Sequence, residues 1–84
     1  MIYIEMLTND NEKYYVEGES QESVSVLFSA LVDELNTKKF LSVSLKGSNS
    51  LFAIRTNDIK QALVIGQEEL PLTQQPNFVT LITR

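Results

Sequence analysis

Two short runs of oxygen-bearing side chains are the strongest candidates for a ligand site in this chain. The triplet Thr-Asn-Asp occurs at residues 8–10, where Asn11 and Glu12 extend it, and again at residues 56–58. Hard cations bind several oxygens, but a calcium loop places its acids at alternate positions, turns on a glycine and ends in a bidentate glutamate. Neither run has that spacing. Both are predicted to be turns whose side chains bond the local backbone, and no metal site is expected.

Catalytic chemistry has few candidates in the sequence. The chain contains no histidine and no cysteine, so its serines lack the usual general base and no thiolate is present. The adjacent carboxylates Glu68 and Glu69 are predicted to be solvated and to point apart. The run Gly-Ser-Asn-Ser at 47–50 lacks the glycine spacing and the following helix of a phosphate loop. We therefore expect no catalytic residues, no cofactor and no enzyme activity.

The length of 84 residues predicts a single domain, 1–84, with one modest core. A domain of this size buries roughly 60 to 65% of the surface that its unfolded chain exposes. The first ten residues have neither a basic start nor a small-residue cleavage site, so no signal peptide is expected. The longest nearly apolar run, 24–32, is far shorter than the roughly 20 residues of a membrane span. A cytoplasmic protein without a membrane partner is predicted.

Charge is distributed unevenly along the chain, whose formal net charge is −4. Residues 1–34 contain eight carboxylates and one lysine, whereas residues 35–84 contain six basic side chains and three carboxylates. Such an asymmetry can steer a partner, unless folding interleaves the two halves so that their charges cancel.

A β-hairpin is predicted at the start of the chain. Apolar and polar residues alternate over 1–7 and again over 13–17, with a three-residue loop at 9–11. Asn11 is expected in the left-handed conformation that such loops need at their last position. The predicted pairs are Ile4 with Val16, Glu5 with Tyr15 and Met6 with Tyr14.

One amphipathic helix is predicted after Gly18. Ser20 is its expected N-cap, and the helix closes near Asn36. An apolar stripe at helical spacing consists of Val24, Leu27, Phe28, Leu31 and Leu35. Val26, Ala30 and Val32 widen this stripe, which suggests a helix covered on more than one side.

A second hairpin is predicted to turn at 47–50. It pairs Leu45 with Phe52 and Val43 with Ile54 on one face, and Lys46 with Leu51 and Ser42 with Arg55 on the other. One register then sorts both strands into a core face and a solvent face.

The remaining segments are predicted to be strands separated by a loop. Over 59–65, Ile59, Leu63 and Ile65 alternate with more polar or smaller positions, which predicts either a strand or a short turn of helix that leads into one. The stretch 68–77 contains both prolines and is expected to be a loop or irregular edge. A strand over 78–84 is apolar on both sides, so a second subunit is expected to supply part of its cover. The predicted fold is α+β in the order ββαββ(β)β, with the helix packed on a largely antiparallel sheet.

These patterns favour a non-catalytic protein-interaction module that forms a homodimer or binds another protein. The surface predicted for this role is the sheet face away from the helix together with the last strand, comprising Tyr3, Leu7, Tyr15, Lys46, Leu51, Arg55, Phe78 and Leu81. The alternative is a weak single-stranded nucleic-acid binder that stacks bases on this face. Glu5, Glu17 and the negative net charge oppose that alternative. The sequence carries no motif of a known family.

Overall fold

A computed structural model describes residues 1–18, 20–71 and 76–82 and confirms the predicted α+β fold. The elements in chain order are strand β1 (Ile2–Thr8), strand β2 (Lys13–Gly18), helix α1 (Gln21–Thr37), strand β3 (Phe40–Leu45), strand β4 (Leu51–Arg55), strand β5 (Ile59–Gly66) and strand β6 (Asn77–Leu81). Two 3-10 turns, Thr56–Asp58 and Gln67–Glu69, flank β5.

The six strands form one mixed sheet in the order β4-β3-β6-β2-β1-β5. Every neighbouring pair is antiparallel except β2 and β6, which are parallel. Strand β6 therefore lies inside the sheet, although it follows all the other described strands along the chain.

The sheet is strongly curled. Strands β4 and β5 lie at opposite edges, and five spacings in a flat sheet would separate them by about 24 Å. The chain passes from Arg55 to Ile59 through the three-residue turn Thr56–Asp58, which spans at most about 14 Å. The edges must approach each other at this end. In agreement, the rings of Tyr14 on β2 and Phe52 on β4 have centroids only 5.8 Å apart.

Helix α1 lies against one face of this curled sheet. Ser20 caps it as predicted: its side chain accepts a hydrogen bond from the backbone of Ser23, and the Ser23 side chain reaches back to the Ser20 backbone. The predicted stripe is confirmed, because its five members all belong to the core. Val26, Ala30 and Val32 are all exposed, however, so the expectation of cover on more than one side is wrong within a single chain.

The first hairpin has the predicted register, and the pairs Ile4–Val16, Glu5–Tyr15 and Met6–Tyr14 are all present. Asn11 has a φ of 66°, the left-handed conformation that the loop requires. The prediction succeeds because the loop has one residue suited to this conformation at the right position.

The second hairpin has a register two residues away from the predicted one. Val43 pairs with Phe52 instead of Ile54, and Ser44 pairs with Leu51. The turn begins at Leu45, whose carbonyl accepts from Ser48 N–H at 3.2 Å, and Gly47 occupies a position with φ of 83°. Glycine adopts positive φ without strain, so its position starts the turn one residue earlier than predicted. Every side chain nevertheless stays on its predicted face, because a shift of two preserves the alternation.

A bulge in the β1–β5 ladder separates Ile59 from the strand's other apolar residues. The register shifts between Leu7 and Thr8, and Thr8 pairs with Ile59. Ile59 consequently packs on the helix side, whereas Leu63 and Ile65 lie on the opposite face. The predicted grouping of these three residues is therefore wrong, since an extra residue reverses the side to which the chain points.

Strand β6 is covered on both faces by its own chain. Val79 is buried in the helix-side core, and Phe78 packs on the opposite face. A second subunit is thus not needed to cover this strand. The predicted strand continued to residue 84 and the predicted loop included 72–75; residues 72–75 and 83–84 lie outside the described part of the chain.

Candidate interaction surface

The sheet face opposite α1, here called the outer face, consists of two halves. The covered half lies on β5, β1 and β2, and its buried residues are Tyr3, Tyr15 and Ile65. The open half lies on β3, β4 and the end of β6, and it comprises Phe40, Ser42, Leu51, Ala53, Arg55 and Ile82, which are all exposed.

The covered half results from the direction of the strands. Strand β5 is antiparallel to β1, β1 is antiparallel to β2, and β2 is parallel to β6, so β5 and β6 run in the same direction. Two parallel strands need a connection that crosses a face of the sheet. Helix α1 occupies one face, and Leu70 of the connecting segment packs against the cluster on the other. The described part of this crossover connection, which includes Leu70, therefore lies over β1 and β2, and the chain re-enters the sheet at β6, short of β3 and β4.

Tyr3 and Tyr15 are buried beneath this crossover. They are 5% and 1% exposed, and both rings contact Phe78, at centroid distances of 5.6 Å and 6.2 Å. The Tyr15 hydroxyl donates a hydrogen bond to Glu5 Oε2 at 3.1 Å. Burial, the nearby Glu5 charge and this hydrogen bond raise the pKa of Tyr15 to about 12. The tyrosines lie on the predicted face, but the expectation that they line an open surface is wrong.

Two ion pairs lie at the margin of the covered half. Lys46 lies in the second hairpin's turn, where its N–H donates to the Phe78 carbonyl at 2.9 Å and its ammonium pairs with Glu17. Lys13 Nζ lies 4.0 Å from Glu5. The Lys46–Glu17 pair joins the basic and acidic parts of the chain, as does the 2.8 Å pair of Lys38 with Glu34. Folding thus interleaves part of the charge asymmetry.

Three other residues of the predicted surface are partly withdrawn from it. Leu7 lies on the outer face between Lys13 and Gln61 and is half-buried. Phe78 is half-buried between the two tyrosines. Leu81 lies on the same side as Val79, as the alternation of the last strand predicts, and is half-buried against the helix-side core.

The open half exposes large apolar side chains next to one another. Leu51 is 70% exposed, Phe40 is 49% exposed and Ile82 is 36% exposed. These side chains, with those of Ser42 and Ala53, line a shallow concavity of about 570 Å³, which also contacts the end of α1. The guanidinium of Arg55 lies 5.6 Å from the centre of the Phe40 ring.

Sequence reasoning identified Leu51 and Arg55 in this half and missed Phe40 and Ile82. The signal that could have identified Phe40 was the alternation of β3, in which Phe40 and Ser42 lie on one face and Leu41 is buried on the other. The Ile82 N–H donates to the Ser42 carbonyl at 3.0 Å, which places Ile82 opposite Ser42, and residues opposite each other in a sheet share a face. The structure therefore brings together two predicted residues and two that were not predicted.

The open half ends at a sheet edge with unpaired backbone groups. At the two ends of the β3–β4 ladder, Leu45 N–H donates to Ser50 and Thr56 N–H donates to Lys39. Bonded and non-bonded pairs alternate in an antiparallel ladder, so the even-numbered residues of β4 bond to β3. The N–H and C=O groups of the odd-numbered residues point away from the sheet; these residues are Leu51, Ala53 and Arg55. Among the described strands, none pairs with β4 on that side.

The two Thr-Asn-Asp triplets meet at one end of the sheet. Asn9 N–H donates to the Asp58 carbonyl at 2.7 Å, and the Asn9 side chain donates to the Asn57 carbonyl at 3.2 Å. The Thr56 hydroxyl donates to the Lys38 carbonyl at 2.7 Å. Both copies form turns as predicted, and the Thr8 hydroxyl accepts a local bond from Glu12 N–H. The side chains of Asn9 and Thr56 instead bond backbone far along the chain, so the predicted local bonding is wrong for them. Within the described residues, no group of three or more acidic side chains is placed to hold a metal ion.

The single described α-helix is too short and too polar to cross a membrane. Comparison with known protein families, curated protein sequences and solved structures finds no significant similarity to this chain.

Proposed function

We propose that this protein is a non-catalytic interaction module that forms a homodimer through the open half of its outer face. The observation that carries the proposal is the cluster of Leu51, Phe40 and Ile82, exposed beside an unpaired sheet edge. Clustered apolar side chains at a protein surface are typical of association sites. The chain covers the other half of the same face itself, so the exposure of these three residues is not a general property of the sheet.

A second copy fits the chemistry of this surface. A two-fold interface places the same patch on both partners, and therefore requires a patch that is complementary to itself. Apolar side chains such as Leu51 and Phe40 meet this requirement, and the hydroxyl of Ser42 can both donate and accept. The single cation, Arg55, lies against Phe40, which leaves its charge at the rim of the patch.

The chemistry of the open half favours binding over catalysis. Its side chains are aliphatic, aromatic or hydroxyl-bearing, with one guanidinium. Enzymes usually hold titratable groups with shifted pKa values in a cleft, and the concavity here is shallow. The charged side chains at its helix end, Glu34 and Lys38, pair with each other at 2.8 Å. The pKa values of Tyr14 and Tyr15 are raised, and both residues lie outside the open half.

The alternative of single-stranded nucleic-acid binding depended on exposed tyrosines on the outer face. Bases stack on exposed aromatic rings. Burial of Tyr3 and Tyr15 leaves Phe40 as the one described aromatic residue exposed on the outer face. The net charge of −4 further disfavours binding to phosphates.

Sedimentation equilibrium on matched variants tests the proposal. Wild-type protein is expected to be a dimer at micromolar concentration. Leu51→Lys places a positive charge in the patch and should raise the dimer Kd at least tenfold, since a buried unpaired charge is costly. Val26→Lys is the control, because Val26 is similarly exposed, at 66% against 70%, but lies on the helix.

Two outcomes contradict the homodimer. One is a wild-type protein that remains monomeric up to millimolar concentration. The other is equal weakening by Leu51→Lys and Val26→Lys, which would show that general surface apolarity, and not the open half, drives association.

A further inference from the structure

Strand β4 is complementary to itself, and this determines how two copies would join. We propose that β4 pairs with β4 of a second copy, antiparallel, about a two-fold axis through Ala53. The two sheets then become one continuous sheet to which each copy contributes six strands. This inference rests on the proposed homodimer and specifies the partner and register of the β4 edge.

The backbone of β4 presents the donors and acceptors that this pairing needs. The outward groups belong to Leu51, Ala53 and Arg55, and these are the residues that an axis through Ala53 places in bonded pairs. Ala53 meets Ala53 of the second copy, and Leu51 meets Arg55 on each side. The three pairs supply about six backbone hydrogen bonds, since each bonded antiparallel pair exchanges two.

The position of the axis follows from the length and charge of the strand. An axis through Ala53 pairs all five residues of β4, whereas an axis through Phe52 or Ile54 pairs only three of them with one another. An axis through Arg55 would place two guanidinium groups opposite each other, which is destabilising. With the axis at Ala53, Phe52 meets Ile54 on the helix side, and the Leu51 side chain lies along the stem of Arg55.

The opposite edge of the sheet is protected against such pairing at its beginning. Strand β5 has Lys60 and the bulge between Leu7 and Thr8 there, whereas its register with β1 is regular from Gln61 to Gly66. An edge lysine and a bulge are both features that discourage strands from adding to an edge. Strand β4 has no bulge and no proline, its register with β3 is regular, and its one charged residue, Arg55, is the last residue of the strand. The β4 edge is therefore free of these features over 51–54, and it lies beside the exposed apolar side chains of the open half.

Disulfide cross-linking of Ala53→Cys tests the register. The chain has no cysteine, so the introduced thiol is the only one. Bonded antiparallel neighbours have Cα atoms about 5.5 Å apart, within the range of about 4.4 to 6.8 Å for disulfides. Mild oxidation should convert most of the dimer to a covalent dimer on a non-reducing gel.

Ser42→Cys is the matched control for cross-linking. Ser42 is exposed on the same face and pairs with Ala53 across the β3–β4 ladder. In the proposed dimer the two copies of residue 42 are three strand spacings apart, about 14 Å, which is too far for a disulfide. Face-to-face stacking of the two open halves would instead allow the Ser42→Cys variant to cross-link.

Ala53→Pro tests the backbone hydrogen bonds. The Ala53 N–H points away from β3, so proline removes a donor to the second copy without removing a bond inside the monomer, and edge strands tolerate proline. The variant should keep its far-ultraviolet circular dichroism and lose the dimer, with a Kd at least tenfold higher. Ala53→Val keeps the N–H and should retain the dimer.

The outcomes separate this inference from the proposed function. A wild-type dimer in which Ala53→Cys fails to cross-link, or in which folded Ala53→Pro dimerises normally, overturns the β4 pairing and leaves the homodimer standing. A monomeric wild type overturns both. Efficient cross-linking of Ala53→Cys with none of Ser42→Cys supports the register.

Discussion

The two halves of the outer face belong to one sheet but differ in the exposure of their side chains. Tyr3 and Tyr15 carry polar hydroxyl groups and are buried, whereas Leu51 has no polar atom in its side chain and is the most exposed of the large apolar residues. Side-chain polarity alone would predict the reverse. The difference arises because the described part of the crossover between the parallel strands β5 and β6 lies over β1 and β2, and the chain re-enters the sheet at β6, before β3. In a small sheet protein, the route of a connection determines which apolar residues remain available for a partner.

The largest expected effect comes from removing a ring in each half. Tyr15→Ala should lower the free energy of unfolding by about 3 to 5 kcal/mol, because it leaves a cavity beneath the crossover. Phe40→Ala should lower that of the monomer by less than about 1 kcal/mol, since the ring is half exposed. Urea unfolding at a concentration where both variants are monomeric measures the two values.

Equal decreases in the free energy of unfolding for Tyr15→Ala and Phe40→Ala would contradict the difference between the two halves. They would show that the open half is packed in the monomer as firmly as the covered half.

Shortening the side chain that lies above the buried tyrosines should have the next largest effect on the free energy of unfolding. Leu70→Ala removes a half-buried side chain from above the tyrosines and should cost about 1 to 2 kcal/mol. It should also make tyrosine fluorescence easier to quench with acrylamide. Leu51→Ala, a truncation of the same size in the open half, should leave quenching unchanged. A Leu70→Ala variant with wild-type quenching would mean that Leu70 does not shield the rings.

Alkaline pH should weaken the covered half through Tyr15. The pKa of Tyr15 rises from 10.0 to about 12 on folding, so the folded chain keeps a proton that the unfolded chain releases above about pH 10. Stability from this group is therefore fully present below about pH 10 and is lost as pH rises toward 12, by at most about 1.4 kcal/mol per pH unit.

Free energies of unfolding near pH 9 and near pH 11, about one unit on either side of the ordinary value, test this dependence. The Tyr15→Phe variant lacks the ionisable hydroxyl and should show a smaller decrease than wild type. An identical decrease in both proteins would assign the alkaline loss to other groups.

The smallest expected effect concerns the ion pair at the margin of the covered half. Lys46→Ala removes the partner of Glu17 and should cost no more than about 1 kcal/mol, because the lysine is half exposed. The effect should shrink in high salt. Lys39→Ala is the control, since Lys39 forms no ion pair with the described residues. A salt-independent loss for Lys46→Ala would indicate lost packing instead of lost charge.

Local patterns predicted the elements and faces of this fold but not the registers that depend on turns. The first hairpin was predicted correctly because Asn11 alone suits the left-handed position of its loop. In the second hairpin, alternation fits two registers that differ by two residues, and only the conformation of Gly47 distinguishes them. The bulge beside Ile59 likewise leaves no trace in the alternation of β5.

The interaction surface was predictable only in part, for a different physical reason. Leu51 and Arg55 follow from alternation within one strand, which is a local signal. Burial of Tyr3 and Tyr15 depends on the relative direction of β5 and β6, which are not neighbours in the sheet. Sequence patterns show which face a side chain occupies, but not which connection crosses that face.

Strand β6 has a consequence for how fast the protein folds. It joins β3 and β4 to the other three strands, and without it the sheet would be two separate pieces. Both hairpins can form from nearby residues, but the β1–β5 ladder and the two ladders of β6 connect segments far apart in the chain, and such contacts form slowly. Strand β6 has to meet both β2 and β3, so we expect its docking to be the rate-limiting step. Val79→Ala should then slow refolding in a stopped-flow experiment, whereas changes at the Asn11 turn act mainly on stability.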